Sequence, residues 1–186
     1  MPFMATARLQ LGTTCLLVVD LQEKLVPAMN DSEHLVQQVG RLIDGVSVLE
    51  VPILVTEQYR KGLGTTVPEL ARRLGGAVCN QEKLKFSACI EPVRQQLTQS
   101  GARTVLVCGL EAHVCVLQTC LDLLDNGFVV AVATDAIGSR RRADLDAAVL
   151  RMVQAGVLST TVESALFELV HEADGQLFKA ILPIVR

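Results

Sequence analysis

A chain of 186 residues is long enough for one sizeable core, because a domain of this size buries roughly 70% of the surface its unfolded chain exposes. Half the residues are apolar, yet only 3% are aromatic and none is Trp, so Leu, Val, Ala and Ile must build that core. Seventeen Lys and Arg against twenty Asp and Glu leave a formal charge of −3, which gives no electrostatic reason for a nucleic-acid partner. No apolar run approaches the ~20 residues that span a bilayer, so no membrane partner is expected.

In chain order, Cys15 to Asp20 is an unbroken apolar run ending in a carboxylate and reads as a strand buried on both faces. A polar, Pro-containing connection leads to Ser32, which is expected to cap a helix carrying Leu35, Val39, Leu42, Val46 and Leu49 at helical spacing. Pro52 to Glu57 is the second strand, and Gln58 to Thr66, with two glycines and no periodicity, reads as a binding loop beside its end. A short helix from Val67 to Leu74 precedes a brief third strand, Ala77 to Asn80, and a loop carrying Lys83 and Lys85. A helix from about Cys89 to Ser100 follows and stops at Gly101.

The fourth strand, Val105 to Cys108, meets a glycine and a polar turn before a helix that is expected to start near Val114 and run to Asn126. Phe128 to Asp135 is the fifth strand, Ser139 to Gln154 a helix, and Val157 to Thr161 the sixth strand. Glu163 to Ala173 and a segment from Gln176 complete the chain, with no repeat or linker dividing it. Strands alternating with helices imply right-handed crossovers, hence a three-layer α/β/α, Rossmann-like parallel sheet of six strands in the expected order 3-2-1-4-5-6. One domain, residues 1–186, is expected.

Ligands in such sheets bind beyond the carboxyl ends of the strands, where the strand order reverses. Asp20, Glu57, Lys83, the turn before Cys115 and Asp135 all fall on that edge. Cys115, placed in the first turn of its helix, is expected to feel the positive helix end and to favour thiolate. A nucleophilic thiol, a carboxylate able to shuttle its proton and a lysine to hold that carboxylate form a hydrolytic set. Each also has a bland reading: Asp20 as a turn residue, Cys115 as a small core hydrophobe, the lysines as surface charges, Asp135 as a turn after strand five. Arg140 to Arg142 reads as a solvated face or an anion contact, since cations at a helix start oppose the dipole.

The six cysteines, Cys15, Cys79, Cys89, Cys108, Cys115 and Cys120, show no C-x-x-C pair and no histidine at ligand spacing, so reduced thiols and no bound metal are expected. The first dozen residues lack the basic and apolar regions of a secretory signal, and a cytoplasmic location is expected, with nuclear or mitochondrial presence left open. A nucleotide-binding Rossmann domain is disfavoured because no G-x-G-x-x-G follows the first strand.

The motifs LLVVDLQ, TEQYRKGLG, EKLKFSA, GLEAHVCVLQTCLDLLDNG and VVAVATDAIGSR together resemble the isochorismatase-like cysteine hydrolase superfamily, most of all its animal isochorismatase domain-containing members, over about residues 14–172. That resemblance implies a catalytic triad of Asp20, Lys83 and Cys115, with Lys83 chosen over Lys85 by its place four residues before Ser87. It further implies a cis peptide between Leu110 and Glu111 and an oxyanion hole from the backbone N–H groups of Glu111 and Cys115. Gln22, Gln58, Tyr59 and His113 are expected to contribute to the substrate pocket. Zinc-bearing nicotinamidases of the superfamily carry histidines after the second strand, where this chain reads EQYRKG, so neither zinc nor another cofactor is expected.

The expected activity is hydrolysis of a small amide or related C–N bond through a Cys115 thioester. The alternative is a non-catalytic interaction protein that keeps the fold. The resemblance and the apolar segment LFKAILPIV, residues 177–185, suggest a homo-oligomer, a dimer or tetramer.

Overall fold

The apolar runs pair side by side because each is hydrophobic on both faces and can bury both only inside a covered sheet. In the computed structural model, which describes residues 7–75 and 79–186, the strands are β1 (Thr14–Val19), β2 (Ile53–Gln58), β3 (Cys79–Lys83), β4 (Thr104–Leu110), β5 (Val129–Gly138) and β6 (Leu158–Thr160). They form one parallel sheet in the order β3-β2-β1-β4-β5-β6, as the alternation of elements predicts. Every residue of β1 and β4 is buried.

The two faces of these strands supply two separate cores. Leu16, Val18, Leu106 and Cys108 face a layer made by α1 (Ser32–Val48), α3 (Pro68–Leu74), α7 (Val162–Val170) and α8 (Gly175–Val185). Cys15, Leu17, Val19, Val105 and Val107 face α4 (Glu91–Gln99), α5 (Leu117–Asp125) and α6 (Arg142–Gln154). The period-two alternation within a continuous apolar run therefore divides the run between two helix layers. Among the described residues, no helix is long and apolar enough to cross a membrane.

Several boundaries move for identifiable reasons. Asp31, in the left-handed region at φ 54°, occupies the cap position of α1, and Ser32 is its first residue. The stretch after β2 contains one helical turn, α2 (Arg60–Leu63), and Thr66 then makes an antiparallel bridge to Gln22, so the expected open loop is folded back on the chain. Residues 77 and 78 of the expected third strand lie outside the described residues, and β3 continues to Lys83 through pairing of Glu57 with Glu82 and of Gln58 with Lys83. Lys83 is therefore a strand-end residue rather than a loop residue. α6 begins at Arg142, which leaves Ser139, Arg140 and Arg141 in the connection after β5.

The segment from 175 onward explains its own apolarity. Ile181 is fully buried, Ile184 and Val185 pack against the core shared with α1 and α7, and the rings of Phe167 and Phe178 lie 6.0 Å apart. Ile181, Ile184 and Val185 are thus used within the chain, whereas Leu177 is 41% exposed.

Strands β1 and β4 approach most tightly at their carboxyl ends, where Val19 pairs with Gly109. A Cβ at Gly109 would stand 2.0 Å from the Val19 carbonyl oxygen, and φ there is 122°. Backbone on both sides leaves nothing flexible to yield, so only glycine fits. Gly109→Ala should cost about 3 kcal/mol or more of stability, read from urea denaturation, with overpacking and backbone strain adding.

Candidate active site

Strand register alone lines up three chemical groups across the carboxyl edge of the sheet. Lys83 ends β3 opposite Gln58 of β2, Val19 pairs with Thr56 of β2 on one side, and with Gly109 of β4 on the other. Asp20 follows Val19 with its N–H bonded to the Thr56 carbonyl at 3.1 Å, and Cys115 follows the turn that leaves β4. The site therefore straddles β1 and β4, the point at which the strand order reverses.

Asp20 sits in the left-handed region at φ 53°, a conformation that Asp tolerates better than most residues, and its side chain is fully buried. Its Oδ1 accepts from Thr56 Oγ1 at 2.9 Å and its Oδ2 from Lys83 Nζ at 2.6 Å. Lys83 Nζ donates further to Gln58 Oε1 at 2.8 Å, to the Phe86 carbonyl at 2.8 Å and to the Lys85 carbonyl at 3.2 Å. The ammonium is thereby compensated by one carboxylate and three neutral acceptors, which is what a charge needs away from water. Lys85 places only its backbone carbonyl on this cluster.

Cys115 lies in a wide π-type turn, Ala112–Val116, that precedes α5. Val116 N–H reaches the Glu111 carbonyl at 3.2 Å and Leu117 N–H the Ala112 carbonyl. These bonds use N–H groups that an α-helix would leave unpaired in its first turn, so the helix start expected near Val114 gives way to a widened turn. The Cys115 carbonyl accepts from Thr119 Oγ1 at 2.6 Å, and that hydroxyl accepts from Ala88 N–H at 2.8 Å. Buried Thr119 thus ties the turn of Cys115 to the segment that follows Lys83.

The surroundings of Cys115 oppose the expected thiolate. Burial, reinforced by the Asp20 carboxylate, pushes the Cys115 thiol up to about 12, against the weaker pull of Lys83 and of the Glu111 backbone N–H. Burial also raises Asp20, although Lys83, the Cys115 thiol and Thr56 all pull it down. Asp20 thus interacts with the Cys115 thiol on one side and with Lys83, its countercharge, on the other. A carboxylate made more basic beside a thiol is suited to take its proton during attack.

The Leu110–Glu111 peptide is cis, and the Glu111 N–H lies against the Cys115 sulfur. The Glu111 side chain, only 12% exposed, is paired with Arg140 Nε at 2.9 Å. Gln22 is fully buried, and its amide bonds the Gln58 carbonyl, the Gly64 carbonyl and the Gln58 N–H. Gln58 joins this clamp to Lys83 and to the Leu84 carbonyl. Tyr59 is 48% exposed at φ 38°, with its ring close over Gly62. His113 Nδ1 is 2.9 Å from Ser139 Oγ.

Glu57 accepts from Thr66 and Arg60 and Asp135 accepts from Val162 N–H at 2.9 Å, so both strand-end acids secure neighbouring segments. A cavity of about 750 Å³ opens between α1, the end of β5 and α6, with His34, Asp135, Ser139 and Leu150 in its wall, and it is lined by none of Asp20, Lys83 and Cys115. Among the described residues no group of His, Cys, Asp and Glu is placed to hold a metal ion. Thr56, Thr119 and Ser139 gave no signal in the sequence, since a buried Thr or Ser is ordinary core material. Arg140 did, through its awkward place ahead of a helix.

Two measurements check these electrostatics. Lys83→Met should destabilise the fold by about 3 kcal/mol, because it strands a buried carboxylate. The raised Cys115 thiol has the opposite sign from a depressed acid: its contribution is complete below the unfolded-state value of 9.0 and is lost as pH climbs toward about 12. The urea midpoint of the wild type should therefore fall more steeply between about pH 8.5 and about pH 10.5 than that of Cys115→Ala.

Residues 14–164 match the family model described as the isochorismatase domain. Mouse isochorismatase domain-containing protein 2A is 38% identical over 98% of this chain and 90% of its own length. A structure of MAR1 ribonuclease from Caenorhabditis elegans superposes with a TM-score of 0.92, is 40% identical and covers 96% of this chain and 92% of its own. YcaC from Pseudomonas aeruginosa, solved with hexane-2,5-diol and covalent acrylamide, has a TM-score of 0.89 at 28% identity, covering 97% and 93%. The YcaC gene product of Escherichia coli, described as an octameric hydrolase of unknown specificity, has a TM-score of 0.86 at 25% identity, also covering 97% and 93%. The sheet order, the near-complete coverage and the matching family model together make this chain a member of the isochorismatase family.

Proposed function

We propose that residues 1–186 act as a single hydrolase domain that cleaves a small amide or related C–N bond through a Cys115 thioester. The observation that carries this reading is the buried contact of Asp20 with both Lys83 Nζ and the Cys115 thiol, a base set against a nucleophile and held by a cation. The thiol attacks the amide carbon as Asp20 takes its proton, and the carbonyl oxygen becomes an oxyanion facing the Glu111 and Cys115 N–H groups. Collapse expels the amine, which leaves with the proton from Asp20. Water, deprotonated by Asp20, then attacks the thioester, and the acid departs as the thiol regains its proton.

In this reading Gln58, Tyr59 and His113 belong to the surroundings of the substrate, with Gln22 holding Gln58 in place through its amide. Lys83 is matched to Asp20 and Glu111 to Arg140, so among the described residues neither of these pairs leaves a net charge for an ionic substrate, which favours a neutral one. No cofactor takes part. The covalent acrylamide on YcaC supports a reactive group in a relative, and the octamer of the Escherichia coli protein supports a homo-oligomer here. Free buried thiols fit the reducing cytoplasm.

The name of the nematode relative raises a second reading, RNA cleavage. A net charge of −3 argues against a polyanion, whose binding rests on many cationic contacts.

Acrylamide tests the mechanism without a known substrate. At about pH 7 the wild type should gain one acrylamide on Cys115 by mass spectrometry, Asp20→Asn should react about 100-fold more slowly, and Cys115→Ala should gain none there. In a screen of small amides, ureas and RNA, any turnover by the wild type should vanish in Cys115→Ala. Full turnover by Cys115→Ala would sink the thioester. A Cys115 no more reactive than a peptide cysteine would leave the non-catalytic reading standing.

A further inference from the structure

The connection after β5 touches the oxyanion turn at two places. Glu111 Oε2 accepts from Arg140 Nε at 2.9 Å, and His113 Nδ1 meets Ser139 Oγ at 2.9 Å. Residues 111 and 113 of one segment are thus latched to residues 140 and 139 of the other. The sheet delivers this contact: β5 shifts register against β4, so that Val107 pairs with Val132 but Gly109 pairs with Ile137 and Leu110 with Gly138. The shift takes up extra residues of β5, so that Ser139 and Arg140 follow directly on the Leu110–Gly138 pair and come level with Glu111. The Ser139 carbonyl in turn accepts from Asn30 N–H at 3.2 Å, which fixes the connection to the loop before α1.

Glu111 is unusual in what its two ends do. Its backbone N–H pulls the Cys115 thiol toward ionisation, while its side chain, in the turn that carries Cys115, is mostly buried and ends in the carboxylate that Arg140 holds. An unpaired carboxylate there would be costly to bury and would oppose developing negative charge. Among the described residues Arg140 is the one basic side chain paired with it, and 61% exposure of Arg140 leaves room for that pairing at little desolvation cost.

We propose that Arg140 is a positioning residue for the oxyanion turn, fixing the Glu111 side chain so that the Glu111 N–H is presented to Cys115 and its carboxylate does not oppose the oxyanion. This rests on the Cys115 mechanism proposed above. Arg140 touches neither nucleophile nor substrate; it acts through Glu111.

The test compares wild type, Arg140→Ala, Arg140→Lys, Glu111→Gln and the Glu111→Gln/Arg140→Ala double variant by the rate of acrylamide addition to Cys115 at about pH 7, and by kcat and KM on any amide the wild type cleaves. Arg140→Ala should slow alkylation and kcat about fivefold with KM within about twofold, and Arg140→Lys should recover at least about half of the loss. Adding Arg140→Ala to Glu111→Gln should change the rate by less than about twofold, because the charge that Arg140 answers is already gone. An unchanged rate in Arg140→Ala, or an equal loss in both backgrounds, overturns the proposal. If Arg140→Ala does not fold, Arg140→Lys against wild type and the double variant against Glu111→Gln decide the question. A wild-type Cys115 that is itself inert instead overturns the mechanism on which the proposal stands, a result that cannot be confused with the others.

Discussion

The ion pair between Lys83 and Asp20 is the constraint on which the site depends. Both side chains are fully buried, and charges so placed persist only where their remaining hydrogen-bonding capacity is met. Lys83 meets its capacity with Gln58 and two backbone carbonyls of the following segment, and Asp20 meets part of its own with Thr56. Satisfying the pair therefore orders β1, β2, β3 and the 84–86 stretch together. Gln22 extends the same logic outward by clamping the turn after β2 to the turn after β1.

Across the switch point, the thiol answers to this pair rather than to a helix dipole. The widened turn at 112–116 uses N–H groups that an α-helical start would have left free, while burial and the neighbouring carboxylate keep the proton on sulfur. A protonated thiol is unreactive until its proton can leave, and Asp20, raised by burial, is the group that can receive it. In the proposed reaction, activation of Cys115 is coupled to proton transfer within a buried pair. Thr119 adds rigidity by joining the Cys115 carbonyl to the Ala88 N–H, so that movement of the lysine segment and movement of the nucleophile are linked.

Charge compensation recurs on the other side of the thiol. Left unpaired, the Glu111 carboxylate in the turn of Cys115 would repel anions. In the fold its carboxylate is engaged by Arg140, one of three arginines that the sequence left between a solvated face and an anion contact. Both ion pairs that flank Cys115 are made by residues far apart in the chain, 63 positions in one case and 29 in the other. Neither could form without the parallel sheet that brings the strand ends together.

The sequence by itself determined the sheet, its order, its two-sided burial and the edge on which chemistry gathers, because unbroken apolar runs alternating with helical periods admit few other arrangements. It also placed Asp20, Lys83 and Cys115 in the frame, since a family motif fixes spacing. The protonation of Cys115 and the partner of Glu111 were decided only by the tertiary structure. So were the buried duties of Gln22 and Thr119 and the division of the 177–185 apolar residues between core and surface. The physical reason is common to all of these: each depends on burial and on groups distant in sequence, and local pattern carries no record of either.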